Sequence, residues 1–235
     1  MSKNKVQYIF NPSITFPGYF VRHRLFEGIS KYASQMNGIM LDFGCGSKPY
    51  SSLFEVEKYV GLDYDGEGHS HEGEAIDYYY DGKKIPFDND VFDSVFSTEV
   101  FEHVFNLTEI LPEIHRVMKK NALILITCPF AIAEHEIPVD YARYSSYALR
   151  HLMESNGFEI VHQEKLGNSI EVITQFWLSY LNIHITPHLK KIPLLGLFIE
   201  SVHAALLNSF AIIFGKLFPK GKELYLNNLI LCKKK

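Results

Sequence analysis

The chain has 235 residues, 47% of them hydrophobic and 21% charged, an ordinary globular composition with length enough for one sizeable α/β domain. A formal net charge of -4 gives no general pull toward nucleic acid, and none is expected as a partner. Three cysteines, odd in number, far apart and without a C-x-x-C pair, exclude a disulfide framework and fit reduced thiols in a cytoplasmic protein.

Met1 to Phe10 carries lysines but no apolar stretch of secretory length, so no signal peptide is expected. Residues 1–18, with Pro12, Pro17 and Gly18, read as an irregular lead-in. From Tyr19 to Met36 the apolar Phe20, Val21, Leu25, Ile29 and Ala33 recur at helical spacing, and Asn37-Gly38 stops the helix. Then comes IMLDFGCGSKPY, Ile39 to Tyr50. A short apolar strand is cut off by Asp42, and Gly44 and Gly46 follow with only Cys45 between them. Glycine permits positive φ and lets main chain approach a ligand that any Cβ would hold off. A carboxylate at such a strand tip is costly to bury unpaired, so Asp42 should face an amine or backbone donors.

Tyr50 to Val56 reads as a short helix, and YVGLDYD as a second strand ending at Asp63, 21 positions after Asp42. An acid about 20 positions beyond a glycine turn sits where a second parallel strand ends beside the first, placed for ribose hydroxyls. His69 and His71 stand at i, i+2 in the glycine-rich loop Gly66 to Glu74, which reads as a solvated turn; no metal is expected. Ala75 to Tyr80 is a third strand ending at Asp81-Gly82. Asp88-Asn89-Asp90 is a turn and Val91 to Phe96 a strand. Ser97-Thr98-Glu99 should then open a helix, with Ser97 or Thr98 as cap and Glu99 or Glu102 at its positive end.

Leu107 to Lys119 is a helix with Ile110, Leu111, Ile114 and Val117 on one face. Ala122 to Cys128 is almost uniformly apolar, a strand buried on both faces. Ser145 to Asn156 is helical and Phe158 to Gln163 a sixth strand. Strand and helix alternate from Ile39 to Gln163, as a doubly wound sheet requires.

Two classes of glycine turn part here. A dinucleotide site wants G-x-G-x-x-G, but Pro49 stands three past Gly46. The D-x-G-C-G form, acid before glycines, resembles the first motif of the class I S-adenosylmethionine-dependent methyltransferases (type 11-like). IPFDNDVFDSVFSTEVFEHV, Ile85 to Val104, is similar to that family's second signature, "lPF…fD.v…vleHv". The resemblance implies an α/β fold, a doubly wound, mostly parallel, seven-stranded Rossmann-like sheet, and S-adenosyl-L-methionine as cofactor. It implies that Gly44, Cys45 and Gly46 approach the cofactor through main chain and that Asp42 receives its amino group. Asp63 would take the ribose and Asp81 the adenine amino group, Ser97, Thr98 and Glu99 would lie near the methionine part, and Tyr64 and Gly82 would also bind the cofactor. In the family a helix like Tyr19 to Met36 covers the ligand cleft; here it is as readily a packing helix. His103 matches a common family histidine and reads as packing. Phe43 and Ser47-Lys48-Pro49 depart from the family's small or glycine-rich choices.

AEHEIPVDYARYSSYALRHLMESNGF, Ala133 to Phe158, resembles the H-E-x-P-x-D-Y-x-R-Y-[ST] segment of a bacterial subgroup associated with polysaccharide and cell-envelope functions. That implies small-molecule or glycan acceptors, lipid-linked ones included, bound by His135, Glu136, Tyr141, Arg143 and Tyr144. His135 is the residue there able to act as a base near neutral pH. Asp140 and Arg143 could pair to fix the loop.

The tail breaks the alternation. Residues 168–223 are apolar and aromatic, an insert before a last strand, Leu224 to Cys232, and a basic end. Its longest helix, Leu194 to Phe218, aligns Glu200, His203, Asn208, Ala211 and Gly215 on one stripe. Only fifteen residues lie between Glu200 and Lys216, short of the roughly 20 that span a bilayer. Two readings stay open: a lid or homodimer face, or a helix lying on the inner membrane face through 190–222, with Lys190, Lys191, Lys216, Lys220 and Lys222 toward anionic headgroups. The expected layout is lead-in and cap helix 1–38, cofactor core 39–167, insert 168–223, last strand and tail 224–235. The expected function is methyl transfer. The alternatives are an NAD-dependent oxidoreductase and a non-catalytic cofactor-binding or scaffold partner that uses the insert.

Overall fold

A computed structural model describes residues 10–66, 74–189, 191 and 195–235. His69, His71 and Lys190 lie outside them, as does the lead-in before Phe10. Seven strands form one sheet: β1 Ile39–Phe43, β2 Lys58–Tyr64, β3 Tyr78–Tyr80, β4 Phe92–Thr98, β5 Met118–Pro129, β6 Phe158–Leu166 and β7 Asn227–Lys234, in the order β3-β2-β1-β4-β5-β7-β6. The pairings β1–β2, β1–β4, β2–β3 and β4–β5 are all parallel. The order reverses between β1 and β4, so the carboxyl ends of these two strands border the crevice in which open α/β sheets bind ligands.

Residues 28–130, 134–164 and 228–235 make one compact unit. Its core joins Leu41 and Phe43 of β1, Val60 and Leu62 of β2, Val95 of β4 and Ile124 and Ile126 of β5 to the apolar face of α2 (Leu107–Val117), Ile110, Leu111, Ile114 and Val117. A further helix, α3 (Ser146–Ser155), starts where the Ser145 hydroxyl accepts the Ala148 N–H and stops at Gly157, whose φ of 84° a side chain would resist. The three cysteines are buried and unbridged.

Several expected boundaries move. Helix α1 (Tyr19–Ala33) ends before Met36, because the Gln35 and Met36 N–H groups bond back only three residues. Tyr50 to Val56 holds a single 3-10 turn, Ser51–Leu53. The third strand is reduced to Tyr78–Tyr80, and β5 begins four residues before Ala122, directly after α2. The largest correction concerns Ser97-Thr98-Glu99, which do not open a helix. Ser97 and Thr98 finish β4, paired with Ile126 and Thr127, and only the turn Phe101–His103 follows. Glu102 therefore stands at no α-helix start, and it is wholly buried.

Among the described residues, 10–27, 131–133 and 165–227 make a second compact unit. Helix α4 (Ser169–Tyr180) is capped by the Asn168 carboxamide, which accepts the Ile170 and Glu171 N–H groups. A π turn, Leu181–Ile185, runs on into α5 (Thr186–Leu189), and α6 (Leu195–Leu217) is the last helix before β7 in the chain. A small core of Phe20, Val172, Ala211 and Leu226 holds the unit. So do the Arg24–Glu171 ion pair at 2.6 Å and the Asn208 carboxamide, which donates to the Ile14 and Phe16 carbonyls. By length and composition Phe198–Leu217, 20 residues, could cross a membrane. The sequence reading stopped at Glu200 and Lys216, which stand near its two ends.

Candidate active site

The parallel register sets Asp42 opposite Gly61, so the tips of β1 and β2 end side by side. Gly44 has φ +73°, and a Cβ there would collide with Val100. With Cys45 it donates its N–H to the Leu62 carbonyl, at 2.9 and 3.2 Å, which folds the turn across β2. Gly46 donates its N–H to Asp63 Oδ2 at 2.7 Å, and Tyr64 donates to Asp63 Oδ1 at 2.8 Å. The departure at Lys48 resolves simply: it occupies the left-handed region itself, at φ 53°. Its ammonium crosses the space that Gly61 leaves bare and reaches Asp77 Oδ2 at 2.6 Å, which also accepts the Gly61 N–H at 2.7 Å. Lys48, Gly61 and Asp77 thus staple the turn, a role the sequence reading did not assign.

Asp42 is buried. Its Oδ2 accepts the Tyr59 hydroxyl at 2.5 Å, while Oδ1 is buried with no hydrogen-bond partner. Burial raises its pKa to about 7. Tyr59, two residues before Gly61 on the same strand, was missed by sequence reasoning, although the period of two marks it. Asp81 is exposed, and its Oδ1 accepts the Lys84 and Lys83 N–H groups, which hold its carboxyl below the usual range. Gly82 follows at φ +77° beneath the Tyr64 ring, where a Cβ would meet the ring edge. Tyr64, Asp81 and Gly82 are therefore together on the rim beyond β2 and β3.

At the tip of β4, the Ser97 hydroxyl donates to the Phe43 carbonyl at 3.0 Å and ties β4 to β1. Glu99 sits at φ 54° and donates its N–H to Thr127 O. The Thr127 hydroxyl donates to Glu99 Oε1 at 3.0 Å, so in the 2.8 Å contact between the two threonines Thr98 is the donor. Ser97 and Thr98 thus spend their hydroxyls on the sheet, and Glu99 closes the chain.

Beside that tip lies a second cluster. Glu102 has both carboxylate oxygens buried without a hydrogen-bond partner, and Oε1 lies 3.6 Å from His103 Nε2 and 3.9 Å from His135 Nε2. Burial, with the charge of Glu99 next, pushes its carboxyl well above the usual range. His103 Nδ1 faces the Val139 carbonyl at 2.8 Å, an acceptor, so Nδ1 carries the proton and Nε2 the lone pair of the neutral ring. Asp140 takes Arg143 as a fork at 2.5 and 2.6 Å and accepts the His135 N–H at 3.0 Å. First the Arg143 hydrogen bonds, then that N–H, hold its carboxyl at about 2. His135 Nδ1 lies 3.4 Å from the same carboxylate, and Glu136 Oε2 lies 3.6 Å from His103. Tyr141 packs its ring against Phe105 on the surface, and Tyr144 packs against the core. The ligand-type atoms of Glu102, His103 and His135 all lie within 4.8 Å of one another, a spacing that a divalent cation or a travelling proton could use, where sequence reasoning expected no metal. Glu102 and His103 were read there as helix-end and packing residues; their meeting with His135 depends on a loop 30 residues away.

These features fit a sulfonium nucleoside. Gly46 has open space where a Cβ would stand, with only the Glu74 carboxylate at 3.5 Å, and the unpaired Asp42 oxygen suits an amine. Sheet order, glycine turn and strand-tip acids together define the class I methyltransferase architecture. The chain belongs to the family described as methyltransferase domain, whose model matches residues 18–163. No curated protein matches it. Among solved structures, it is similar to phosphoethanolamine N-methyltransferase 2 of Haemonchus contortus in complex with S-adenosyl-L-methionine, with TM-score 0.56, 16% identity, and 99% of this chain against 57% of that one covered. It spans little more than half of that enzyme. It is also similar to an S-adenosylmethionine-dependent methyltransferase of Mesorhizobium loti (TM-score 0.52, 11% identity, 93% and 98% covered). A third likeness is to the [4+2]-cyclase SpnF (TM-score 0.53, 16% identity, 91% and 81% covered), so the fold alone does not fix the reaction.

Proposed function

We propose that this chain is an S-adenosyl-L-methionine-dependent transferase that methylates a hydroxyl or amine of a small-molecule or glycan acceptor. The observation that carries the reading is the joining of Gly46 to Asp63 beside an Asp42 with one unpaired oxygen. When bound, the donor supplies an activated methyl group and its own leaving group. The chain has three tasks: to hold the donor, to orient the acceptor, and to take a proton from it. Main chain at 44–46 with Asp42 and Asp63 serves the first, and the rim of Tyr64, Asp81 and Gly82 the adenine end. The Ala133 to Phe158 segment serves the second, with Glu136, Tyr141, Arg143 and Tyr144 toward the acceptor.

His135 serves the third. Its Nδ1 lies 3.4 Å from the Asp140 carboxylate and 3.5 Å from the Arg143 guanidinium, and its Nε2 lies 3.9 Å from Glu102. The H-E-x-P-x-D-Y-x-R-Y pattern supports a polysaccharide or cell-envelope acceptor. The test has two parts. Calorimetry should find that S-adenosylhomocysteine binds and NAD does not. Labelled donor incubated with fractionated bacterial extract should then mark a glycan or small molecule, identified by mass. Failure of the nucleoside to bind folded protein would remove the reading.

A further inference from the structure

We propose that the outward face of α6 docks on a lipid bilayer carrying anionic headgroups. Phe198, Val202, Leu206, Phe210, Ile213 and Leu217 recur every three or four positions and are all exposed, Leu206 at 64% and Leu217 at 72%. That spacing places them on one stripe, and 20 helical residues at about 1.5 Å each make it about 30 Å long. Phe210 and Phe214 stack along the same helix, and Phe218, just past its end, stacks on Phe214. Helix α4 adds exposed Ile173, Phe176, Trp177 and Tyr180 to the unit. Soluble monomers seldom expose contiguous apolar surface on this scale.

Charge says what covers it. From residue 201 to 222 there is no Asp or Glu, while Lys216, Lys220 and Lys222 are exposed at the end of the stripe. An apolar stripe with lysines beside it suits acyl chains below a layer of phosphates, the lysine stems reaching up to the headgroups.

The opposite face argues for lying on the membrane rather than crossing it. Ala204, Asn208, Ala211 and Gly215, spaced by four, three and four, are buried, and Asn208 holds the Ile14 and Phe16 carbonyls. Crossing would strip those carbonyls of their donor. The inference does not rest on methyl transfer and can fail without it.

The full chain is floated on a density gradient with vesicles of phosphatidylcholine alone or mixed with phosphatidylglycerol. It should rise with the mixed vesicles, and 0.5 M salt should cut the bound fraction several-fold. The L206E/F210E/I213E variant should lose at least tenfold, with its far-UV dichroism and S-adenosylhomocysteine binding intact. K216E/K220E/K222E should lose the preference for anionic lipid, which keeps the proposal testable if the triple glutamate variant misfolds. Absence of flotation, equal flotation of the apolar-face variant, or a stable dimer that hides this face would overturn it.

Discussion

The Asp63 carboxylate accepts the Gly46 N–H at 2.7 Å and the Tyr64 N–H at 2.8 Å, so the acid of the second strand and the glycine turn of the first are one hydrogen-bonded piece. Asp63 shapes the turn, and in the proposed function it also takes the donor's ribose. A charge-assisted hydrogen bond contributes about 1.5–3 kcal/mol, so D63A should weaken S-adenosylhomocysteine binding by roughly ten- to a hundredfold, with D63N in between. Unchanged affinity in D63A by calorimetry would separate this residue from the donor.

Gly44 cannot carry a side chain for two independent reasons, φ of +73° and the Val100 methyl groups. Left-handed backbone costs a non-glycine residue roughly 1–2 kcal/mol and overpacking about 1–3 kcal/mol. G44A should therefore lose about 2–5 kcal/mol in denaturant unfolding. G44A/V100A should recover the steric part and leave the backbone part. Full recovery, or none, would show that one of the two causes is absent.

Much of this was legible beforehand, for reasons that can be named. Ile39–Phe43 and the glycine turn follow from a buried apolar run that ends where Cβ atoms must be absent. The insert helix, expected over Leu194 to Phe218 and found over Leu195–Leu217, follows from its apolar length. Ser97 and Thr98 misled because the same hydroxyls that cap a helix also bind a neighbouring strand, and only the pairing with β5 decides between them. Tyr59 and Asp77 escaped notice because their partners, Asp42 and Lys48, come from another strand and its turn, and local pattern carries no register. Glu102 was taken for an acid at the positive end of a helix, since nothing local reveals that loop 134–144 passes beside it.

Asp42 predicts a pH dependence. Its folded-state pKa, about 7, lies above the ordinary carboxyl value near 3.9. Between those values the folded chain binds more protons than the unfolded one, so this group makes stability fall as pH rises from about 4 to 7 and level off above. D42N, neutral throughout, should remove that slope from melting curves. An amine-bearing ligand favours the ionised form. S-adenosylhomocysteine affinity should therefore rise between pH 5.5 and 8. At pH 6, calorimetry in two buffers of different ionisation enthalpy should reveal release of about one proton, absent in D42N. Affinity flat across that range would show that Asp42 does not meet the amine.

The Glu102–His135 contact separates catalysis from binding. Glu102 lacks hydrogen bonds to either oxygen, and burial holds its carboxyl well above the usual range. By the same sign rule, its share of stability is lost as pH rises above the unfolded carboxyl value. E102Q keeps the shape without the titration and should melt above the unmodified chain at pH 8 while matching it near pH 5. His135 should act on rate alone. A positioned base contributes roughly 10²–10⁴-fold, so H135A should lower single-turnover methyl transfer by that much while S-adenosylhomocysteine affinity stays the same. E102Q should move the rising limb of the pH–rate profile, because it changes the charge that His135 faces when it takes up a proton. A full rate in H135A would strike out the base, and an unmoved limb in E102Q would leave Glu102 with a structural role only.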